Sequence, residues 1–313
     1  MTAIPRDISV TAPLGQAFER VKTVLFQPFD LGRWFIIGFC AWLAYLGEGG
    51  GFHGGGNWGS GHGHGGQGLR QELDHAREFV MNNLGWILPL AIGIVFVGLV
   101  IWLVVLWLSS RGRFMFLHCV ALNTAEVQKP WHKFAREANS LFLCRLGLAL
   151  AGMLLALPLI AGMIILIMRM VLRESATAGG VLGAIGFFLA LLVVSAAFWV
   201  VGRLLRDFVT PIQFLRGTNC LAAWREFREL LPGYVGHFFL YLLFRIVLAI
   251  GIGLFVLLLV LATCCLAGCL MLLPYIGTVL LLPVLVLERS YSLYFLAQFG
   301  PSYDVFQVPA MTP

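Results

Sequence analysis

A chain of 313 residues that is 60% apolar and only 12% charged stands far from the roughly 25% charged residues of an average soluble domain. With a mean hydropathy of +0.90, that excludes an ordinary water-soluble enzyme and a disordered protein. The net charge of +6 sits mainly in short stretches beside apolar runs, where it reads as a topology signal; no nucleic-acid partner is expected.

The first 30 residues hold no continuous apolar core and carry Arg6, Asp7, Glu19, Arg20, Lys22 and Asp30, unlike a cleaved secretory leader. Within them, Pro13–Phe29 places Leu14, Phe18, Val21 and Leu25 on one helical face with Glu19, Arg20 and Lys22 opposite. That period predicts an amphipathic interfacial helix. A short first crossing follows over Leu31–Gly47, below the usual ~20 residues and matched by local thinning of the bilayer. Gly47–Gly68 is then low-complexity, with 13 glycines in 22 residues, and predicts a flexible coil without a core. Its His53, His62 and His64 are candidate ligands for zinc, copper or nickel. A flexible coil must first be ordered to close a metal site, so a plain loop is the simpler reading, and no cofactor is expected.

Arg70–Asn83 reads as a short polar helix leading into the second span. Gly85–Leu108 holds 24 residues without a charge, enough to cross a core about 30 Å thick. A second amphipathic stretch, Pro130–Phe142, aligns Trp131, Phe134, Ala138 and Leu141 before the third span, Leu146–Met168. Ala176–Gly202 is the fourth. A third amphipathic stretch, Ala222–Leu231, aligns Trp224, Phe227 and Leu231. The 42 uncharged residues of Ile246–Leu287 predict two further spans, with a turn near Ala262–Gly268 and kinks at Pro274 and Pro283. The seven cysteines lie in or beside apolar runs and read as packing thiols.

With six crossings and the N-terminus inside, 17 of the 21 Lys and Arg side chains fall on the cytoplasmic side and 4 outside, a strong positive-inside bias. The expected fold is thus an all-α polytopic membrane protein, one transmembrane domain over residues 1–313. Six transmembrane helices would form three interfacial-helix/two-helix-hairpin repeats, at about 13–108, 112–202 and 209–287. Trp34, Trp131 and Trp224 mark them at separations of 97 and 93 residues. The even spans end alike, in SSRGRF (Ser109–Phe114), GRLLRDF (Gly202–Phe208) and LERSYSLYF (Leu287–Phe295). Residues 288–313 are expected as a cytoplasmic C-terminal interfacial segment, and the location as the inner membrane with both termini cytoplasmic.

This layout, with PWHKFAREANSLFL before the third span and LERSYSLYFLAQFGPSYDVF closing the chain, resembles an uncharacterised family of bacterial six-helix inner-membrane proteins. That group is similar in layout to the membrane domain attached to some glycerophosphoryl diester phosphodiesterases. No phosphodiesterase catalytic domain is expected here, so the resemblance implies location and architecture rather than activity.

No Asp, Glu, Lys, Arg or His interrupts the long apolar runs, so the coupling groups of an ion-driven carrier are missing from them. No convergent pair of catalytic groups is evident either, and the chain is not expected to be an enzyme. The expected role is a non-catalytic scaffold or lipid-associated accessory. Anionic headgroups would be engaged by Lys22, Arg111, Arg113, Lys129, Lys133, Arg136, Arg145, Arg206, Arg225, Arg228 and Arg245. For Arg145 and Arg245 the plainer alternative is snorkelling, or pairing with Glu137, Asp207 or Glu288. A membrane-protein partner or a second copy fits the same reading. The alternative is a transporter or channel for a small or lipid-like solute through the space between the three repeats, lined for instance by Arg245, Tyr275 and Thr278.

Overall fold

The structure, a computed structural model, describes residues 8–47, 83–172, 178–263, 266–271 and 273–307. The described residues are helical or irregular, with no strand among them. The Gly/His-rich stretch and the polar helix expected after it lie outside them.

The chain opens with α1 (Ala12–Val21), which runs into a π-helical turn at Lys22–Phe26, and α2 (Leu31–Tyr45). Asp30 caps α2 by accepting from the Gly32 amide at 2.8 Å. Next come α3 (Leu84–Leu122), the short α4 (Gln128–Lys133) and α5 (Ala135–Leu172). Helix α6 (Ala178–Leu204) passes through a second π-helical turn, Leu205–Val209, into α7 (Thr210–Arg216). The long α8 (Cys220–Ala262) is followed by α9 (Leu266–Met271), α10 (Pro274–Leu280) and α11 (Leu282–Ala297).

Four of these stretches are long and apolar enough to cross a membrane: Gly85–Leu122, Ala135–Met170, Gly179–Arg216 and Cys220–Ala262. Their most apolar windows are almost wholly uncovered by the rest of the molecule. Side chains such as Ile92, Leu154, Leu182 and Val247 point outward, an apolar surface far larger than water tolerates and suited to acyl chains. Helix α2, with 15 residues, rises only about 22 Å. The last apolar stretch is in three pieces rather than one kinked span. Pro274 and Pro283 stand in the first turns of α10 and α11, where the missing amide costs nothing, and so they start helices instead of bending one.

Each crossing helix is longer than a 30 Å core requires. Helix α3 does not stop near Leu108 but continues to Leu122, because no breaker intervenes and the extension is buried: Phe114, Met115, Leu117 and Cys119 are fully covered. Leu205, Phe208, Val209 and Ile212 beyond α6, and Val286, Tyr291, Leu293, Phe295 and Leu296 of α11, join them in one core. Rings close it: Phe208 stacks on Phe227 at 5.4 Å and Tyr241 on Tyr291 at 5.5 Å between centroids. The stretch after Leu287, expected at the interface, is instead central. Its Tyr291, Leu293 and Phe295 have covered side chains, so α11 behaves as a core helix.

Helix α1 lies along α11 and α2 between α3 and α10. The α2–α3 contact requires a glycine, since a Cβ on Gly112 would come within 2.5 Å of the Ala44 amide nitrogen. On α1 the expected stripe is divided: Ala17, Val21, Val24 and Leu25 face inward, whereas Phe18 is 51% exposed. Docking on α11 selects the face, and the π turn shifts its register. Arg20, on the expected solvent side, reaches the C-terminus of α3, donating to the Val120 carbonyl at 2.7 and 3.0 Å and to that of Ala121 at 2.6 Å. A cation there complements the helix dipole. Burial nonetheless lowers its pKa from the ordinary guanidinium value, Tyr294 opposing.

The second amphipathic stretch is divided between two helices, and the third is set off from its span by a kink. Pro130–Phe142 is divided at Phe134, with φ −100° and ψ 22°, and continues as α5. Ala222–Leu231 forms the first turns of α8, and Tyr234, non-helical at φ −140° and ψ 24° just after Pro232, separates them as a helix of their own from the rest. Their apolar alignments hold: Phe134, Ala138, Leu141 and Phe227 are buried, and Trp131, Trp224 and Leu231 pack against the core.

Candidate functional site

Where the crossing helices enter the buried end, they diverge around a cavity of about 850 Å³. Its walls come from α3, α5, α6, α8 and α11, with Tyr45 closing one side. Arg113 of α3, Arg145 of α5, and Arg203 and Arg206 at the end of α6 line one end of it, together with Glu288 of α11. Away from them the same helices supply apolar or small residues: Trp102 and Leu106; Leu148, Ala149 and Gly152; Phe198 and Trp199; and Ile252, Gly253 and Val256. From Arg113 to Trp102, or from Arg145 to Gly152, is about 10–16 Å of helix at 1.5 Å per residue. The cavity therefore has a cationic head and an apolar body that extends along the spans. Room for the body comes from glycine: at Gly202 and Gly253 an added Cβ would meet nothing within 4 Å.

The arginines are held from behind by a dense polar network. Asp207, on the π turn, lies 3.0 Å from Arg203, 3.9 Å from Arg206 and 4.0 Å from Arg245, and accepts from the Tyr241 hydroxyl at 3.0 Å. Arg245 pairs with Glu288 at 3.0 Å. Arg289 donates to the Arg206 carbonyl at 2.8 Å. Arg145 donates to the hydroxyls of Ser109 and Ser110 at 3.2 and 3.1 Å, tying α5 to α3. The charges of Arg145, Arg206 and Arg289 all act on Arg113. Arg113, Arg245 and Arg289 are only 5, 3 and 6% exposed. Burying like charges so close together is costly unless anions offset them.

The eleven residues expected to meet anionic headgroups separate into two groups. Arg113, Arg145 and Arg206 converge on the cavity, and Arg245 braces its wall through Glu288. The others lie elsewhere. Lys22 pairs with Glu19 at 2.6 Å and Lys129 with Glu126 at 3.0 Å. Lys133 sits over the Phe134 ring at 5.6 Å. Arg136 lies 3.4 Å from Glu137 and donates to the Gly217 carbonyl at 2.9 Å. Arg111 is clasped between Trp107 and Trp131, 4.6 and 4.8 Å from their rings. Arg225 and Arg228 are exposed on the first turns of α8. Tyr275 and Thr278, named as possible lining, are absent from the cavity wall; Tyr275 donates to the Phe35 carbonyl on α2 at 2.9 Å. His53, His62 and His64 lie outside the described residues. Among the described residues no group of three or more His, Cys, Asp or Glu could hold a metal.

Sequence reasoning passed over Arg203 as a site residue. Its signal was the i, i+4 spacing to Asp207 within GRLLRDF, which puts both on one helical face.

A family model matches residues 8–287, a range that includes every crossing helix and all four cavity arginines. The chain belongs to DUF7544, a family of unknown function. No curated protein and no solved structure matches the chain.

Proposed function

We propose that this DUF7544 member is a non-catalytic integral membrane protein that holds an anionic membrane amphiphile in the cavity between its helices, as a lipid-handling accessory. The observation that carries the reading is the polarity of the cavity. Four arginines stand at one end and apolar walls run from them along the spans, matching a charged headgroup with its tail. Uncovered apolar spans give such a ligand lateral access from the bilayer. The topology that goes with it has six crossings, α2 and the broken α9–α11 stretch supplying the short first and last ones, with both termini cytoplasmic in an inner membrane. The positive-inside bias supports that orientation. The likeness in layout to phosphodiesterase-associated membrane domains agrees with a lipid-directed role.

The test is lipid retention. The full-length protein, purified in mild detergent from membranes of mixed composition, is expected to retain phosphatidylglycerol over phosphatidylcholine in native mass spectra. Arg145→Gln and Arg206→Gln should each diminish that preference. Equal retention of anionic and zwitterionic lipid would count against the reading.

A second reading, movement of the amphiphile along the spans, is favoured by the depth of the apolar body. It predicts that the purified protein accelerates leaflet exchange of a fluorescent anionic lipid in vesicles. Exchange no faster than in protein-free vesicles would leave binding alone.

A further inference from the structure

We infer that Cys144 and Cys220 form a redox-active dithiol, a site of reversible disulfide formation in which Cys144 is the attacking thiol and Cys220 the resolving one. The inference goes beyond the cavity and stands whether or not the cavity holds an amphiphile.

Four of the five described cysteines meet in two pairs, each between different helices. Cys40 of α2 and Cys119 of α3 stand with their sulfurs 3.9 Å apart. Cys144 of α5 and Cys220 of α8 are hydrogen-bonded through their thiols. Their surroundings separate the pairs. Cys40 and Cys119 are both wholly covered and both lie inside helices, and Cys119 also reaches the Glu126 carbonyl at 3.7 Å. Inert packing suits them. In the second pair Cys220 is covered, at 1% exposure, whereas Cys144 is half-buried. A reagent therefore meets Cys144 first, with Cys220 behind it.

The second pair is also held in register. The Cys220 amide donates to the Ser140 hydroxyl at 2.8 Å. Ser140 and Cys144 are one turn apart on α5, so a single face of that helix receives the start of α8. Cys220 is the first residue of α8, preceded by irregular Thr218 and Asn219 and by Gly217 at φ 60°. Bringing its sulfur to about 2.0 Å from that of Cys144 moves a helix end, not a helix interior.

The oxidant is a low-molecular-weight disulfide, of which glutathione disulfide is the probe. The Cys144 thiolate attacks one sulfur of the reagent, forming a mixed disulfide and releasing one glutathione thiolate. The Cys220 thiolate then attacks the Cys144 sulfur, which closes the protein disulfide and releases the second. Two electrons pass from the protein thiols to the reagent, and the two thiol protons finish on the two glutathione molecules. Helices α5 and α8 both wall the cavity, so the bond joins two of its walls.

The experiment treats the full-length protein in nanodiscs with glutathione disulfide, then alkylates and maps it by mass spectrometry. A cross-linked peptide joining Cys144 to Cys220 is expected, and dithiothreitol should abolish it. Cys40 and Cys119 should remain open to alkylation after denaturation. Cys220→Ser should halt the reaction at the mixed disulfide, with one glutathionyl group on Cys144. Cys144→Ser should leave Cys220 unmodified. Brief N-ethylmaleimide treatment of the folded wild type needs no variant: it should label Cys144 ahead of Cys220 and prevent the cross-link.

Closure of Cys40 with Cys119 ahead of the second pair would overturn the inference. Modification of Cys220 before Cys144 would do so as well. Separate glutathionyl groups on both thiols of one chain, or no change at either, would show that they do not act as a dithiol.

Discussion

The apolar spans and the buried end of this molecule use the same amino acids for opposite purposes. In the spans, Leu154 is 75% exposed and its neighbours on α5 point outward with it, a surface that suits lipid and not water. In the buried end, Leu117 is fully covered on the extension of α3, against a core that α1, α2, α7 and α11 complete. The first region leaves a cavity between its helices, while α5 and α6 approach closely, a Cβ on Gly162 coming within 2.8 Å of the Phe187 ring. The second is packed, cross-linked by ion pairs, and it aims the arginines. The ion pairs and most of the fully covered side chains thus lie where the helices run past the apolar windows.

Substitutions that exchange the demands of the two regions break or sharpen this contrast. The largest effect is expected from Asp207→Ala, which leaves Arg203 and Arg245 without the carboxylate they share. Breaking a buried ion network in this way costs about 3–5 kcal/mol, and fluorescence-detected gel filtration should show loss of the monodisperse peak. Leu117→Ala should follow, at about 2–5 kcal/mol for an emptied core position, read as a fall in Tm in detergent. Gly112→Ala adds a methyl against the α2 backbone; overpacking of about 1–3 kcal/mol should lower the Tm by several degrees without altering insertion. The smallest effect, within about 0.5 kcal/mol, is expected from Leu154→Ala. A loss at Leu154 as large as at Leu117 would show that the outward face of α5 is covered by a partner rather than by lipid.

The four helices long and apolar enough to cross a membrane were legible because uncharged runs such as Gly85–Leu108 mark them locally. The amphipathic stretches were legible too, since Phe134, Ala138, Leu141 and Phe227 bury the faces their spacing indicates. Less was visible of the continuity between elements. Pro130–Phe142 read as one helix before the third span, yet it is divided at Phe134 and its second part runs on into α5. Residues 288–297 looked interfacial because Glu288 and Arg289 interrupt the apolar run. Both charges are accommodated internally, by Arg245 and by the Arg206 carbonyl, so α11 could enter the core.

The site was half visible. Arg113, Arg145, Arg206 and Arg245 were each marked as candidates, but along with seven other cations that end on surface pairs, aromatic rings or the first turns of α8. Local spacing decides which charges share a helical face; it does not decide which helices meet.

From the chain alone came the solvent of each segment, since hydropathy over some 20 residues is a local quantity. The apolar faces of the short amphipathic stretches came with it. Only the assembled structure decided that α3 and α6 run on past their apolar windows into a shared core, and that α1 lies along α11. It alone brought arginines from three helices around one cavity. Those outcomes depend on contacts between residues 36 to 281 positions apart, and no periodicity within a helix encodes them.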